Sequence, residues 1–350
     1  MRVLLLSSEA ETSLIRYFQN GFLDLEHDVK TFSVSPLAEL KPMVPKKGAS
    51  PVGILEHRVL NRLITLKLPW VREKTLLDLK NIIEDFKPDF VLTVQGHNLD
   101  KEMLSLLQKF KLQIYNYYAD PTPLYDEKFL KTIPFYSCIF TYNKDQIPRW
   151  YWFGAKEVFY LPFASDPHIH TPPSLSLEEK KLYGSPVTYP ATWQPYAEYW
   201  PEKLLQFGLK IWGNQWYKLS ASSLRKKAWQ GEEKGTGLHL PFVCAASDIV
   251  FNMIRAKNGN SHSMKTFEIP ACGGFMLSNR TDDQIRFFPE DVAAVYFSTE
   301  GELLDKIRFY LKHEEKRKAI ALKGLEIAQK HRYADRMQVI IDHYKQSKGS

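Results

Sequence analysis

Short apolar runs alternate with amphipathic stretches along almost the whole chain, and this alternation limits the fold more than any other feature. Apolar residues at three- and four-residue spacing predict helices, for example over Glu73–Phe86 and Lys101–Phe110. The runs between the helices predict buried strands of parallel sheets, so the fold class is α/β. The predicted strands are Val3–Leu6, Val29–Val34, Phe90–Val94, Gln113–Tyr117, Ser137–Tyr142, Glu157–Leu161, Val187–Tyr189, Lys210–Trp212, Asp248–Asn252, Gly274–Leu277 and Ala293–Phe297.

The chain has 350 residues, 44% of them hydrophobic, which is enough apolar material for two cores of ordinary size. Pro162–Pro186 is rich in proline, serine and charged residues, and the strand and helix alternation restarts after it. We therefore expect an N-terminal domain over residues 1–165, a linker over 166–185, a second domain over 186–332 and a last helix in 333–350.

One stretch in the first half interrupts the alternation. From Ser35 to Trp70, prolines and glycines break any regular element. Long excursions in compact domains are often functional, so this stretch is a candidate acceptor-binding region. The alternative interpretation is a simple insertion.

Charge and cysteine content limit the partners and the compartment. The formal net charge of +7 favours anionic partners in general, including an acidic membrane surface, but basic residues form no long block, so we expect no nucleic-acid partner. The three cysteines have neither CxxC nor Cys/His spacing, and the N-terminal apolar run is too short for a signal peptide. These features predict a reduced, metal-free, cytoplasmic protein; peripheral membrane association stays open.

The segment from Asp248 to Asn279 predicts a phosphate-binding site. Its pattern is strand, polar loop, short helix, glycine turn and strand, and a loop of small polar residues brings backbone N–H groups to the positive end of a helix. Lys265 lies in the first turn of that helix, and Glu268 follows on the same face, where it could hold a ribose diol. The loop residues are Asn258, Gly259, Asn260, Ser261, His262 and Ser263.

The helix and its turn also resemble a known family. Lys265-Thr-Phe-Glu268-Ile-Pro-Ala-Cys-Gly273-Gly274 is similar to the R-x-F-E-(I/A)-x-A-C-G-G motif of bacterial GT-B glycosyltransferases of the CgeB-like, spore-maturation group. Weaker likenesses continue at Lys210–Gly213, Ala246–Asn252 and His331–Arg336, so the resemblance covers nearly the whole chain.

The resemblance implies two Rossmann-like domains and transfer of a sugar from a nucleotide-sugar to a glycan or glycolipid acceptor of the cell envelope or surface, in the cleft between the domains. It also implies that Glu268 holds the ribose, that the loop from Gly259 to Ser263 meets the diphosphate, and that the last helix crosses back to the first domain. We expect Trp193 and Gly213 to line the donor site as well. Two departures are Lys265, where the family usually has arginine, and Asn260, where related enzymes have a carboxylate.

Two residues after strands of the first domain are candidates for catalysis, because ligands of α/β sheets bind beyond the carboxyl ends of the strands. His97 follows Gln95-Gly96 and could act as general base, and Asp120 could act as base or orient the acceptor. Each has a simpler interpretation, as a surface residue or a turn cap. With no DxD in a suitable turn, we expect a metal-independent reaction without a cofactor.

Two alternatives stay open. A nucleotide-sugar epimerase on the same fold would need the nucleotide site but no acceptor. A non-catalytic polyanion-binding protein would need a clustered basic face and would bind with steep salt dependence. The sequence leaves the donor sugar, the base, the stereochemistry and the oligomeric state undetermined.

Overall fold

The computed structural model describes residues 1–7, 13–34, 69–97, 99–121, 126–219, 224–231 and 237–349. The chain forms two compact units, Met1–Leu161 with Ile340–Ser350, and Pro162–Val339. Each unit contains one parallel sheet with helices between its strands. The predicted α/β class with two Rossmann-like domains is therefore confirmed.

The first unit has a six-stranded sheet in the order β2-β1-β3-β4-β5-β6. Its strands are short and almost entirely buried in the centre, as expected of a sheet covered on both faces. The elements are β1 (Arg2–Ser7), α1 (Ser13–Asp24), β2 (Asp28–Ser33), α2 (Pro69–Phe86), β3 (Phe90–Val94), α3 (Lys101–Lys109), β4 (Gln113–Tyr118), α4 (Glu127–Leu130), β5 (Cys138–Thr141), α5 (Ile147–Trp152) and β6 (Val158–Tyr160).

The second unit has a five-stranded sheet in the order β11-β10-β9-β7-β8. Its core lies around the apolar side chains of β7, β9 and β10 and the helices after β11. The elements are α6 (Leu177–Tyr183), β7 (Val187–Pro190), α7 (Tyr199–Leu204), β8 (Leu209–Trp212), α8 (Leu224–Ala228), α9 (Leu240–Ala246), β9 (Ile249–Asn252), α10 (Met264–Ala271), β10 (Met276–Asn279), α11 (Asp282–Phe287), β11 (Val295–Phe297), α12 (Glu300–Lys312), α13 (Glu314–Ala328) and α14 (Tyr333–Gly349).

The two sheets share one topology. In each, the first strand pairs with the second on one side and with the third on the other, so the strand order reverses between β1 and β3 and again between β7 and β9. A crevice opens at such a switch point because the flanking connections run to opposite faces of the sheet. The chain leaving β3 and the chain leaving β9 are thus the places where a ligand is expected.

Some predicted boundaries differ from those observed. The strand predicted at Gly274–Leu277 begins at Met276, because Gly273 has a left-handed φ of +75° and the chain is still turning there. The segment 166–185, predicted as a linker, lies within the second unit and contains α6, whose N-terminus is capped by Ser176 and Glu179. Residues 35–68 of the predicted excursion lie outside the described residues, and its acceptor-binding role stays a prediction.

The last helix belongs to both units, since α14 begins at Tyr333 and its residues from Ile340 onward are part of the first unit. There His343 packs edge-on against the rings of Tyr115, Phe140 and Phe159. No helix in the described part of the chain has both the length and the apolarity that crossing a bilayer requires.

Candidate donor-binding site

The polar loop after β9 lies at the switch point of the second unit. A short 3-10 turn over Ala256–Asn258 leads to Gly259, whose φ of +60° and ψ of −137° suit glycine alone. Asn279 at the end of β10 accepts a hydrogen bond from the Ile254 N–H at 2.6 Å and donates to the Ile254 carbonyl at 3.3 Å. The start of the loop is therefore tied to the neighbouring strand.

A buried hydrogen-bond network supports the loop from behind. The Gln284 side chain donates to the Asn279 carbonyl at 2.7 Å, and its oxygen accepts from Thr266 at 3.2 Å and from Asn252 at 3.4 Å. The Thr281 hydroxyl donates to the Ser261 carbonyl at 2.7 Å. Leaving some groups of a buried network without hydrogen bonds costs free energy, so the network holds the loop in one conformation before any ligand binds.

His262 and Asn260, both predicted to contact the donor, are occupied by the protein itself. His262 is fully buried; its Nε2 accepts from the Phe163 N–H at 3.2 Å, so Nδ1 carries the hydrogen and donates to Asp283 at 3.1 Å. Burial lowers the pKa of His262, and Asp283 only partly opposes this. The Asn260 side chain pairs with the side chain and the N–H of Asp282 at the start of α11. Their side chains thus fix the loop rather than face a ligand.

The side chain of Ser261, unlike those of Asn260 and His262, has no hydrogen-bond partner among the described residues. It is 1% exposed, and its hydroxyl oxygen makes no hydrogen bond to any described residue. Nor do the backbone N–H groups of Asn260 and Ser261 donate to described residues. Buried polar groups without partners are rare in folded proteins, so the Ser261 hydroxyl makes this loop a candidate site for a ligand that accepts hydrogen bonds. They precede α10, whose first turn adds free N–H groups and the positive end of the helix dipole.

Lys265 and Glu268 form an ion pair on α10. The Lys265 Nζ lies 2.8 Å from the Glu268 Oε2, and the Lys265 side chain is 24% exposed against 3% for Glu268. The other carboxylate oxygen lies 3.7 Å from Nε2 of His170, a fully buried ring from the segment before α6. The Asp166 N–H donates to His170 Nδ1 at 3.0 Å, which leaves the hydrogen of the neutral ring on Nε2, toward Glu268.

The pair keeps both of its members charged. Burial alone would raise the pKa of Glu268, but Lys265 and His170 outweigh it and the pKa is lowered. Burial would lower the pKa of Lys265, but Glu268 outweighs it and the pKa is raised. For His170, burial prevails and the pKa is lowered. Lys265 thus offers a charged, partly exposed ammonium group on α10, while the predicted ribose role of Glu268 stays a prediction, since its carboxylate is engaged with Lys265.

Trp193 and Gly213 follow β7 and β8. The Trp193 indole N–H donates to Glu198 at 2.7 Å, and its ring lies under the Lys218 ammonium group. Gly213 has φ of +127°, and a Cβ there would lie 2.4 Å from the Ala191 carbonyl oxygen, so only glycine fits. Gly213 therefore has a packing role in the turn, and the donor contact predicted for it and for Trp193 stays a prediction.

In the first unit, His97 lies at the switch point after β3. Gln95 and Gly96 both have positive φ, and a Cβ on Gly96 would lie 2.7 Å from the Tyr136 hydroxyl. The turn brings the His97 Nδ1 within 2.9 Å of Asp126 and its Nε2 within 3.2 Å of the Tyr118 hydroxyl. A carboxylate that accepts from Nδ1–H fixes the ring and leaves Nε2 as the proton acceptor, which suits a general base.

Asp120, the second catalytic candidate, follows β4, which pairs with β3. Its carboxylate accepts a hydrogen bond from the Gln95 side chain at 2.8 Å. The structure therefore brings Asp120 and His97 to the same end of neighbouring strands, each held by a separate partner. Their catalytic roles stay predictions.

Comparison with known proteins agrees with this geometry. Residues 197–342 match a family model described as "Glycosyl transferase-like". The spore protein CgeB of Bacillus subtilis (strain 168) is 22% identical over 264 residues, which cover 68% of this chain and 77% of CgeB. A glycosyltransferase from Rickettsia africae ESF-5 has the same fold, with a TM-score of 0.63 and 11% identity over 99% of this chain and 98% of that chain. Anabaena HepE in complex with UDP-glucose has a TM-score of 0.62 and 12% identity over 99% of this chain and 100% of HepE.

The chain has the GT-B fold, and its second half is similar to glycosyl transferase-like proteins. The resemblance to the CgeB-like group, found in the motif from Lys265 to Gly274, is thereby confirmed. The matched region contains the complete donor loop and α10.

Several residues of the candidate sites could not be found from sequence motifs. Gln284 and Asp283 lie on α11, far along the chain from the loop that they support, and His170 lies before α6. Asp126 is separated from His97 by 29 positions. The Asp166-Pro-His-Ile-His170 run was visible as a composition shift, but nothing local shows that its last histidine faces Glu268.

Proposed function

We propose that the protein transfers a sugar from a UDP-sugar to a glycan or glycolipid acceptor of the cell envelope. The nucleotide is inferred from HepE, a protein of the same fold that is described in complex with UDP-glucose, and the acceptor from the resemblance to the CgeB-like group. The alternative of an epimerase would require turnover of the donor without an acceptor.

The observation that supports the proposal most directly is the unpartnered Ser261 hydroxyl, buried beside free N–H groups at the switch point of the second unit. Hydroxyl and amide donors just before the start of a helix suit the oxygens of a diphosphate. Lys265 adds a positive charge that is partly exposed and stays charged through its pairing with Glu268. Together they would neutralise the diphosphate in the bound donor and in the leaving group.

A diphosphate would change the Lys265–Glu268 pair rather than break it. An ammonium group has three donors, so Lys265 could keep its hydrogen bond to Glu268 while it donates to a phosphate oxygen. Glu268 would then hold the lysine in place and offer its other oxygen, the one nearer His170, to the ribose. Lysine is a point charge, so its contact with the phosphate is through one ammonium group rather than a bidentate fork.

On the acceptor side, we assign proton transfer to His97. Asp126 fixes the ring, and Nε2 would take the proton from the acceptor hydroxyl after displacing the Tyr118 hydroxyl. Asp120 would orient the acceptor at the neighbouring strand end. Because the loop donors and Lys265 supply the positive charge, we propose that the transfer needs no divalent metal. Initial rates with and without added Mg²⁺ or Mn²⁺ test this: a reaction that starts only with the metal contradicts it.

The test of donor binding is a thermal-shift screen of the full chain with UDP, GDP, ADP, CMP and dTDP. A ligand at a hundred times its Kd stabilises the folded protein by about 2.7 kcal/mol, so a nucleotide of the correct kind gives a clear shift. We expect the largest shift with UDP. If UDP gives no shift at millimolar concentration, the proposed donor is wrong.

Two variants test whether UDP causes the thermal shift by binding at the polar loop after β9. Ser261→Ala removes the hydroxyl without adding bulk, and the loss of a hydrogen bond to a charged oxygen should weaken UDP binding about 10-fold or more. Lys265→Met should weaken it further, whereas Lys323→Met, on the exposed face of α13, is the control and should bind UDP normally. Equal UDP affinity in all of these proteins would contradict the site.

Incubation with UDP-sugars then separates the two enzymatic functions. A transferase forms a glycoside only when an acceptor is present, whereas an epimerase converts the donor sugar alone. Release of an epimerised UDP-sugar in the absence of acceptor would decide for the epimerase.

A surface of the first unit supports the expected association with a membrane. On α5, the side chain of Trp152 is 79% exposed and that of Tyr151 49%, and Arg149 and Lys156 lie close by in the sequence. Exposed tryptophan and tyrosine beside basic residues suit the interface of an anionic bilayer. Co-sedimentation with phosphatidylglycerol vesicles should fall when Trp152 is replaced by alanine and should be absent with phosphatidylcholine vesicles alone.

A further inference from the structure

Strands β5 and β6 and the last helix of the first unit bring three metal-ligating side chains together. The Cys138 sulfur, a Glu157 carboxylate oxygen and a His343 ring nitrogen all lie within 4.8 Å of one another. Cys138 and Glu157 precede Ile139 and Val158, which are direct partners across β5 and β6, so both project to one face of the sheet. His343 reaches that face from α14. The sheet register and the helix therefore fix the three groups without any loop closure.

The neighbouring hydrogen bonds determine which nitrogen of His343 points at this cluster. Tyr115, the partner of Cys138 on β4, donates its hydroxyl hydrogen to the Gln113 side-chain oxygen. Its oxygen lies 3.3 Å from His343 Nδ1 and can accept a hydrogen bond from that nitrogen. The opposite nitrogen, Nε2, lies 2.9 Å from the Glu157 carboxylate.

The His343 Nε2, the Glu157 carboxylate and the Cys138 sulfur place three kinds of metal-binding donor within reach of one ion. A hydrogen bond between His343 and Glu157 leaves the Cys138 sulfur without a role. Sulfur is a soft ligand, and its presence beside nitrogen and oxygen donors favours a metal ion.

We propose that Cys138, Glu157 and His343 bind Zn²⁺, with water as the fourth ligand, and that the ion fastens the C-terminal helix to the sheet of the first unit. Sulfur, nitrogen and carboxylate oxygen are the donors that zinc takes in proteins. In a tetrahedral site, bonded sulfur and nitrogen atoms are about 3.5 Å apart. The three ligand atoms here lie within 4.8 Å of one another, so the side chains would move together on binding the ion. On binding, Zn²⁺ replaces the thiol hydrogen of Cys138, which leaves to solvent as a proton.

The surroundings suit a metal ligand set. The rings of Tyr115, Phe140 and Phe159 surround His343 at centroid distances of 5.3, 5.6 and 5.1 Å and hold its orientation. Tyr115, as the acceptor for Nδ1–H, is the outer partner that zinc-bound histidines usually have. Cys138 is buried, whereas the Glu157 side chain is 45% exposed, so that side gives the ion and its water a path to solvent.

The test uses the full-length protein, stripped of metal and titrated with Co²⁺ as a spectroscopic probe. A cobalt-bound thiolate gives a charge-transfer absorption in the near ultraviolet, and we expect one equivalent of Co²⁺ to produce it and Zn²⁺ to displace it. Cys138→Ser should remove the absorption and weaken Zn²⁺ binding at least about 100-fold. Cys244→Ser, which changes another buried cysteine in the second unit, should leave both unchanged.

Two further variants keep the proposal testable if Cys138→Ser does not fold. His343→Gln should abolish binding with Cys138 intact, and Tyr115→Phe should weaken binding about 10- to 100-fold while the thiolate absorption persists. Native protein that gives no thiolate absorption with Co²⁺ overturns the proposal. So does an absorption that survives Cys138→Ser, or a zinc-induced rise in Tm that is equal in native and Cys138→Ser protein. UDP binding in the second unit should be the same with and without zinc, so failure here leaves the proposed function unaffected.

Discussion

Breaking the Lys265–Glu268 pair is the perturbation that tests the donor-site geometry most directly. The two charged groups are 2.8 Å apart, and the carboxylate is 3% exposed. At an effective dielectric constant of about 20, such a pair attracts by about 6 kcal/mol, most of which offsets the loss of hydration of both ions. The net contribution of the pair is therefore small, but the loss of one partner is costly.

The expected costs differ between the two partners. Lys265→Met leaves Glu268 buried with only His170 at 3.7 Å, so we expect a loss of about 3 to 4 kcal/mol in the free energy of unfolding. Glu268→Gln leaves an ammonium group that is 24% exposed, so water relieves part of the penalty and the loss is about 2 to 3 kcal/mol. The double variant leaves no unpaired charge and should lose only about 3 kcal/mol, which gives a coupling energy of about 3 kcal/mol.

Urea unfolding of the four proteins, followed by tryptophan fluorescence, measures this coupling. The chain contains a matched control, because Lys323 and Glu326 have the same three-residue spacing and a 2.7 Å contact, but are 51% and 52% exposed. Their coupling should be about 0.5 kcal/mol or less. If the two pairs show equal coupling, the burial argument is refuted, and with it the claim that Glu268 keeps Lys265 charged and in place.

Three other outcomes are expected. Burial and a neighbouring arginine lower the pKa of His331 to about 4. As the pH falls from 6.5 to 4, the unfolded chain therefore binds the proton before the folded protein does, and the free energy of unfolding should decrease by at most about 3 kcal/mol. His331→Gln should make this decrease smaller, as measured by the urea midpoint. Gly213→Ala should cost about 3 kcal/mol or more of stability, whereas Gly301→Ala, with open space on a helix, should be neutral or stabilising by about 0.5 kcal/mol, both by urea unfolding. Asp126→Asn should lower kcat at least about 10-fold with little change in the KM of the donor, because His97 loses the acceptor that fixes its ring; an unchanged kcat contradicts the base assignment.

The fold could be predicted because its signals are local. Apolar runs and helical spacing gave both sheets and the two-domain class, and the boundaries failed where tertiary contacts decide them. Gly274 lies against Cys244, Ile269 and Val250, with only 3.1 Å to each from a Cβ built there, so the chain is still packing against α10 where a strand was expected. The missed helix in the predicted linker did have a local signal, the Ser176-x-x-Glu179 capping box.

The sites were predictable only in part, because a motif shows which residues are near one another along the chain and not which ones meet in space. The donor loop and α10 form one continuous segment, so their pattern was visible. His262 looked like a ligand there because its partners, Phe163 and Asp283, come from elsewhere. The same limit hides the contact between Glu157 and His343, which are 186 positions apart and are related by no spacing rule.

Both units have a functional side chain after a glycine turn near the switch point of the sheet, but the two side chains differ in chemistry. In each, the central strand at the switch point is followed by a glycine with positive φ, Gly96 at +82° after β3 and Gly259 at +60° after β9. The turn at Gly96 places His97 just beyond the sheet, where Asp126 holds it. Gly259 lies in the loop that leads to α10, and there Glu268 of the same helix holds Lys265. The carboxylate of Asp126 lies against Nδ1 of the imidazole and fixes the ring, while the carboxylate of Glu268 raises the pKa of the Lys265 ammonium group and keeps it charged. A glycine turn near each switch point is thus combined with a different charge pair, which suits the proposed proton acceptor in the first unit and the proposed diphosphate site in the second.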